Sequence, residues 1–356
     1  MSTDIIYCDS PVADWHIKQC ATGLLQTTDL TEFLNTPSTK KYAIFHVPFP
    51  YETGAGAAFE DRVNQILNVC DKIIILISEL HDSTIGFVQR FQHDHIKYFV
   101  CGAFNFNCPY NLWMDWFATS RYFYKTNNVK PLDRLLPFEP KPKTFDILLG
   151  MPKPHRSIIY NYITEHNLND QVIMTYLGHP NRIVEGENNP GWIWEDDGLE
   201  IIDKELRWTV GQVRYYGQRM SLSQVVPIKV YNQTAYSVVA ETNFSNHYSF
   251  YTEKIVKPIL GRRLFIVFSG QYYLKNLRNM GFKTFDGIID ESYDLEADFV
   301  TRGNMITKQM DYLFSQPQDQ ILTQIKPIVD HNYELLMNTL WQENTNINLS
   351  SIIGTT

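Results

Sequence analysis

Residues 72–101 read KIIILISELHDSTIGFVQRFQHDHIKYFVC. The stretch opens on a continuous apolar run (72–78, KIIILIS) and closes on another (97–101, KYFVC). Short runs of β-branched and aromatic residues, without polar alternation, fit strands covered on both faces of a parallel sheet. Between them, 82–91 (DSTIGFVQRF) has a helical pattern, and Asp82 or Ser83 suits its N-cap. Strand, helix, strand is the repeating unit of a doubly wound α/β layer.

The same alternation extends outward in both directions. Upstream, 4–8 (DIIYC) and 42–47 (YAIFHV) read as buried strands, and 58–70 (AFEDRVNQILNVC) as a helix with Phe59, Val63, Ile66 and Leu67 on one side. The Gly-rich segment 50–56 (PYETGAG) follows a strand and precedes a helix. It lacks the Lys-Ser/Thr of a P-loop, but open α/β sheets bind ligands at such places. Downstream the pattern halts at 127–143 (NNVKPLDRLLPFEPKPK), whose four prolines favour an extended linker.

It then restarts. Residues 144–150 (TFDILLG), 171–177 (QVIMTYL), 236–242 (YSVVAET) and 264–268 (LFIVF) read as strands. Helices are expected at 154–167, with Pro154 near the start, and from 253, at 274–280 and over 320–340. The irregular stretch 178–219, dense in Trp, Gly and Asn, is long enough for an active-site loop or insertion. The expected fold is therefore α/β, with two Rossmann-like domains facing a cleft. Residues 1–136 form the first, 137–143 the linker and 144–319 the second, and 320–356 hold a helix that crosses back, then a tail.

Composition narrows the function. A hydrophobic share of 44% with 14% aromatic residues over 356 positions argues for a large core and against disorder. A net charge of -8 without a basic stripe disfavours nonspecific nucleic-acid binding. Five cysteines without a CxxC suggest neither a zinc ribbon nor a disulfide framework, and fit a reducing compartment. The start MSTDIIYCDS lacks the features of a signal peptide, and no apolar run could span a bilayer. A cytoplasmic protein with no membrane contact is expected.

The chemistry concentrates in 240–294, AETNFSNHYSFYTEKIVKPILGRRLFIVFSGQYYLKNLRNMGFKTFDGIIDESYD. A strand leads into an acid-and-amide loop, then Thr-Glu-Lys at a helix start, a helix, a strand and a Gly turn. In this order the chain resembles the α-1,3-fucosyltransferase-like glycosyltransferases of the B fold. There a Glu-Asn loop precedes a Tyr-x-Thr-Glu-Lys motif that holds a nucleotide sugar. The matching residues are Glu241 and Asn243 for the loop, and Thr252, Glu253 and Lys254 for the motif. Thr242 is inserted between acid and amide, and Phe250 stands at the motif's Tyr position with Tyr251 beside it. The family's diphosphate-binding basic residue after the domain's first strand maps to Arg156, in LLGMPKPHR (148–156). The chain also resembles phage-encoded proteins, which implies a viral source and the host cytoplasm.

The resemblance implies an inverting transfer of a sugar from a nucleotide-sugar donor, bound on the second domain, to a glycan or other hydroxyl acceptor on the first. It implies donor contacts from Arg156, Asn243, Tyr251, Thr252, Glu253 and Lys254, and no cofactor or metal. The residue types suit these roles. Lysine and arginine neutralise a diphosphate, the arginine through a bidentate fork. A helix N-terminus adds N–H groups and a positive dipole end. Glu253 suits the two hydroxyls of a ribose.

Inversion also needs a base for the acceptor proton. Glu52 and Glu79, each just after a predicted strand, are the candidates, with His81 third. Two other readings stand beside this one. A phage-type enzyme could glycosylate hydroxymethylated DNA bases, which the acidic net charge disfavours, or the chain could bind a nucleotide or glycan without transfer. Glu195–Asp196–Asp197 reads as a solvated acidic loop or a DxD-like metal site, and His93–Asp94–His95 as surface histidines or an incomplete metal site.

Overall fold

The structure, a computed structural model, describes residues 4–13, 23–47, 54–126, 131–177, 198–202 and 212–354. It divides into two compact units. One comprises residues 1–118 and 340–356, the other residues 119–339.

The first unit is built on a six-stranded sheet. Strands β1 (Ile5–Cys8), β2 (Leu25–Thr27), β3 (Lys41–His46), β4 (Lys72–Ile77), β5 (Ile96–Val100) and β7 (Tyr110–Leu112) lie in the order β2-β1-β3-β4-β5-β7. A short strand β6 (Gly102–Phe104) lies outside it. Every pairing is parallel, as the continuous apolar runs predict. Helices Gly54–Ile66 and Asp82–Arg90 are the crossovers. Phe59 meets Phe45 on β3 and Phe87 on the second helix, edge to face at 5.5 and 5.2 Å. The cap of Asp82–Arg90 differs from expectation: the His81 ring, not Asp82 or Ser83, accepts from Ser83 N.

The second unit holds a four-stranded sheet of β8 (Lys143–Leu149), β9 (Val172–Tyr176), β13 (Thr234–Ala240) and β15 (Phe265–Phe268) in the order β15-β13-β8-β9, again all parallel. The sequence predicted these four strands. It did not predict the antiparallel trio β10 (Leu199–Ile201), β11 (Gln212–Tyr215) and β12 (Gln218–Ser221). β11 and β12 turn through Tyr216 and Gly217, both at positive φ (47° and 82°), the backbone of a two-residue hairpin. A last short strand, β14, spans Tyr248–Phe250.

The Pro-rich segment is part of the second unit. Lys141 N donates to Gln318 Oε1 and Gln318 Nε2 to Lys141 O, while Lys326 Nζ sits 3.9 Å over the Phe138 ring. The units divide instead at 118/119 and 339/340, so 119–143 goes with the second. The single helix expected at 320–340 is Gln318–Asn338, and the expected tail is a further helix, Trp341–Ile353. The break follows from capping: Arg121 Nε and Lys125 Nζ both donate to Met337 O, one of the carbonyls a helix end leaves without a partner.

Candidate functional site

In the second sheet, β8 continues sideways to β9, and the chain then crosses back to β13 on the other side of β8. The winding reverses between β8 and β13. Loops leaving the carboxyl ends of two such strands diverge above and below the sheet and leave a crevice between them, where open α/β sheets bind ligands. The β8 loop is 150–153 and the β13 loop begins at Glu241.

Each loop feeds a helix N-terminus. Lys153 is the N-cap of helix Pro154–Glu165 and offers it no side-chain cap bond. Its Nζ instead reaches across to donate to Thr242 O and, at 3.4 Å, to Asn243 Oδ1. Thr252 caps helix Glu253–Leu260, its hydroxyl accepting from Lys254 N. That hydroxyl donates to Glu241 Oε2 at 2.7 Å, and Tyr273 OH donates to Glu241 Oε1 at 2.8 Å. Glu241 is wholly buried, and burial raises its carboxyl above the usual range, against the pull of the Lys254 charge. One acid thus ties the β13 loop to the start of the second helix.

The expected donor residues are distributed unevenly around this crevice. Lys254 Nζ bonds Thr242 Oγ1 at 3.0 Å and Glu253 Oε1 at 2.8 Å, which leaves one of its three N–H groups without a described partner. Burial pushes the Glu253 carboxyl up, but the neighbouring Lys254 and Lys257 charges outweigh it and hold it below the usual carboxylate range. Asn243 takes part through its contact with Lys153, and its backbone carbonyl accepts from Ser269 Oγ. Tyr251 is fully buried and donates to Tyr273 O.

Arg156 points inward. Its guanidinium donates to Met151 O (2.7 Å) and Glu241 O (3.1 Å), with a longer contact to Ala240 O (3.5 Å). It is 4% exposed, and its Nε is buried without a partner. Among the described residues it makes no direct ion pair, and burial lowers its pKa. The guanidinium thus ties the loop after β8 to the end of β13. Next to it, His155 is also buried, Nε2 against Glu241 O at 3.0 Å and Nδ1 unpartnered. Burial pushes this imidazole down to about 3, so it is neutral.

Sequence reasoning missed two cations here. Lys153 lies inside the motif quoted for Arg156, and its position immediately before the helix-starting Pro154 was the available signal. Lys257 is one turn beyond Glu253 and 8% exposed; burial pushes its ammonium down to about 8. Lys153, Arg156, Lys254 and Lys257 stand against Glu241 and Glu253, a formal surplus of two positive charges.

In the first unit, Glu79 follows β4 and is half-buried. His81 is engaged as the helix cap, its Nδ1 3.1 Å from Ser83 Oγ. His93 and His95 are exposed, with ring centroids 4.9 Å apart. Glu52, most of the Gly-rich segment and Glu195–Asp197 lie outside the described residues. No described helix is long and apolar enough to cross a membrane. Compared with known proteins, the chain matches no family model and no curated sequence.

Proposed function

We propose that the protein is an inverting glycosyltransferase of the B type, with two Rossmann-like halves facing a cleft, and that the diphosphate of its nucleotide-sugar donor binds between the β8 and β13 loops. The observation that supports this most is the cation surplus at a topological switch point, flanked by two helix N-termini. A nucleoside diphosphate sugar brings about two negative charges and gains more on the leaving phosphate as the glycosidic bond breaks. Lys254, one of whose N–H groups has no partner among the described residues, and Lys153 are the direct ligands. Arg156 supports the loops and adds charge. Glu253 accepts from the ribose hydroxyls.

Lysine ammonium groups and helix dipoles stabilise the departing diphosphate, the role a divalent ion plays in other transferases. Turnover is therefore expected to persist in EDTA. The acceptor is a hydroxyl compound, and Glu52 and Glu79 remain the carboxylates to test as its base.

A thermal-shift and calorimetry screen with GDP- and UDP-sugars tests the reading. A ligand at 100 times its Kd stabilises the folded state by about 2.7 kcal/mol, several degrees in Tm. If neither the nucleotide sugars nor GDP and UDP shift the protein, the assignment fails. Activity lost in EDTA and regained with Mn²⁺ would overturn the metal-independent step alone.

A further inference from the structure

Polar residues at the carboxyl ends of the first sheet pair with one another. Asp9 follows β1, His46 ends β3 and Ser78 follows β4. Asp9 Oδ1 accepts from His46 backbone N at 2.9 Å, and His46 Nε2 and Ser78 Oγ are 2.8 Å apart. At the carboxyl ends of the second sheet two cations converge instead on one residue, Thr242, two positions beyond β13. Its carbonyl accepts from Lys153 Nζ, on the β8 loop. Its hydroxyl accepts from Lys254 Nζ, at the start of helix Glu253–Leu260, at 3.0 Å. Its backbone N donates to Glu241 Oε2 at 3.3 Å, the carboxylate oxygen that also accepts from the Thr252 cap. Thr242 is half-buried, and these three contacts fix where its hydroxyl stands.

Resting on the transferase reading above, we propose that Thr242 is a further ligand of the donor diphosphate, its hydroxyl donating to a non-bridging phosphate oxygen beside the Lys254 ammonium. A hydroxyl has one hydrogen to give and two lone pairs with which to accept. Lys254 occupies one lone pair, and among the described residues nothing accepts the hydrogen. An ammonium group donating to the oxygen polarises the hydroxyl and makes its O–H the stronger donor. A phosphate oxygen seated there meets that O–H together with the Lys254 N–H that has no described partner, and the second of these bonds is charge-assisted. The Thr242 carbonyl has a separate task. It holds Lys153, so that the β8 and β13 loops present their cations together.

The test is calorimetry on the full chain, with inorganic pyrophosphate, GDP and UDP as probes and guanosine and uridine as controls. Thermal melts follow the fold of each variant. Thr242→Val removes the hydroxyl at nearly constant shape. It is expected to weaken pyrophosphate, GDP and UDP binding roughly tenfold, with nucleoside affinity and the melting midpoint held. Thr242→Ser returns the hydroxyl and is expected to restore wild-type affinity. A purely structural role in the loop would lower nucleoside and diphosphate binding together, and serine would not restore them. Wild-type affinity in Thr242→Val, an equal loss for the nucleosides, or a serine variant as weak as the valine one overturns the assignment and leaves the transferase reading standing. Pyrophosphate bound with the same valine loss, but neither GDP nor UDP bound, removes the nucleotide-sugar reading while upholding the hydroxyl as an anion ligand. Failure of the wild-type protein to bind any of the three removes both.

Discussion

Lys254 and Arg156 were equivalent as letters, and their surroundings make them different instruments. Lys254 is 23% exposed in its side chain and keeps one N–H without a partner among the described residues, whereas the Arg156 guanidinium holds backbone carbonyls together. Lys254→Ala and Lys153→Ala are expected to weaken nucleotide-sugar binding about tenfold or more each, the equivalent of about 1.5–3 kcal/mol per charge-assisted contact. Arg156→Ala is expected to lower the unfolding midpoint as well, because it strips donors from buried carbonyls. Calorimetry beside thermal melts separates the two; equal binding losses with equal Tm would contradict the distinction.

Asp9 gives a pH signature at the same scale. Burial pushes its carboxyl up to about 6. Between the ordinary aspartate value and 6, the folded chain holds the proton that the unfolded chain releases, so stability is present at low pH and is lost as pH rises through this window. At about 1.4 kcal/mol per pH unit, the loss is about 3 kcal/mol by pH 7. Asp9→Asn keeps the acceptor for His46 N and carries no charge. It is expected to be more stable than wild type at pH 7.5, with the gap closing near pH 4. Urea unfolding at both values reads this, and parallel stability curves would refute it.

At the scale of elements, one buried pair secures the sheet beneath the candidate site. Arg263, just before β15, donates to Asp146 on β8 at 2.8 Å and to Ser237 Oγ on β13 at 3.0 Å. It also binds the carbonyls of Tyr231, Thr234 and Tyr236, and its guanidinium lies 4.2 Å over the Tyr231 ring. Both charges are almost completely buried. Asp146→Ala leaves Arg263 unpaired in the core and should cost about 3–5 kcal/mol, read by chemical denaturation. A loss under 1 kcal/mol would mean that the carbonyls alone suffice. Gly270, beyond β15, is constrained from outside: a Cβ there would come within 1.9 Å of Ser245 O, so alanine must push the 245 backbone away.

Across the whole molecule, the first unit is assembled from both ends of the chain. Leu349 and Ile353, in the last helix, pack in one core cluster with Ile6, Ile44, Ile74 and Phe99. Leu349 is fully buried, so Leu349→Ala should cost about 2–5 kcal/mol. Hydrogen exchange should then rise in β1, β3 and β4, more than 240 residues away in sequence from the last helix. Exchange that changes only within 341–353 would show that this helix is dispensable to the sheet.

The sequence by itself determined which segments are strands buried on both faces. An apolar run such as 72–77, short and rich in β-branched residues, fits a strand covered on both faces, and the Pro154 and Thr252 helix starts follow from their own backbone chemistry. It also marked 240–294 as the stretch where the chemistry concentrates. The tertiary structure decided the rest, because those questions depend on residues far apart in the chain. The Pro-rich segment read as a linker, and only its partners Gln318 and Lys326 make it part of the second unit. The charge of Arg156 was visible, but whether it faces a ligand or a carbonyl depends on Glu241, 85 residues on. Asp9, His46 and Ser78 carry no motif. They meet only because parallel pairing aligns the ends of β1, β3 and β4, and burial there, absent from any local pattern, shifts the proton affinities of Asp9 and His46.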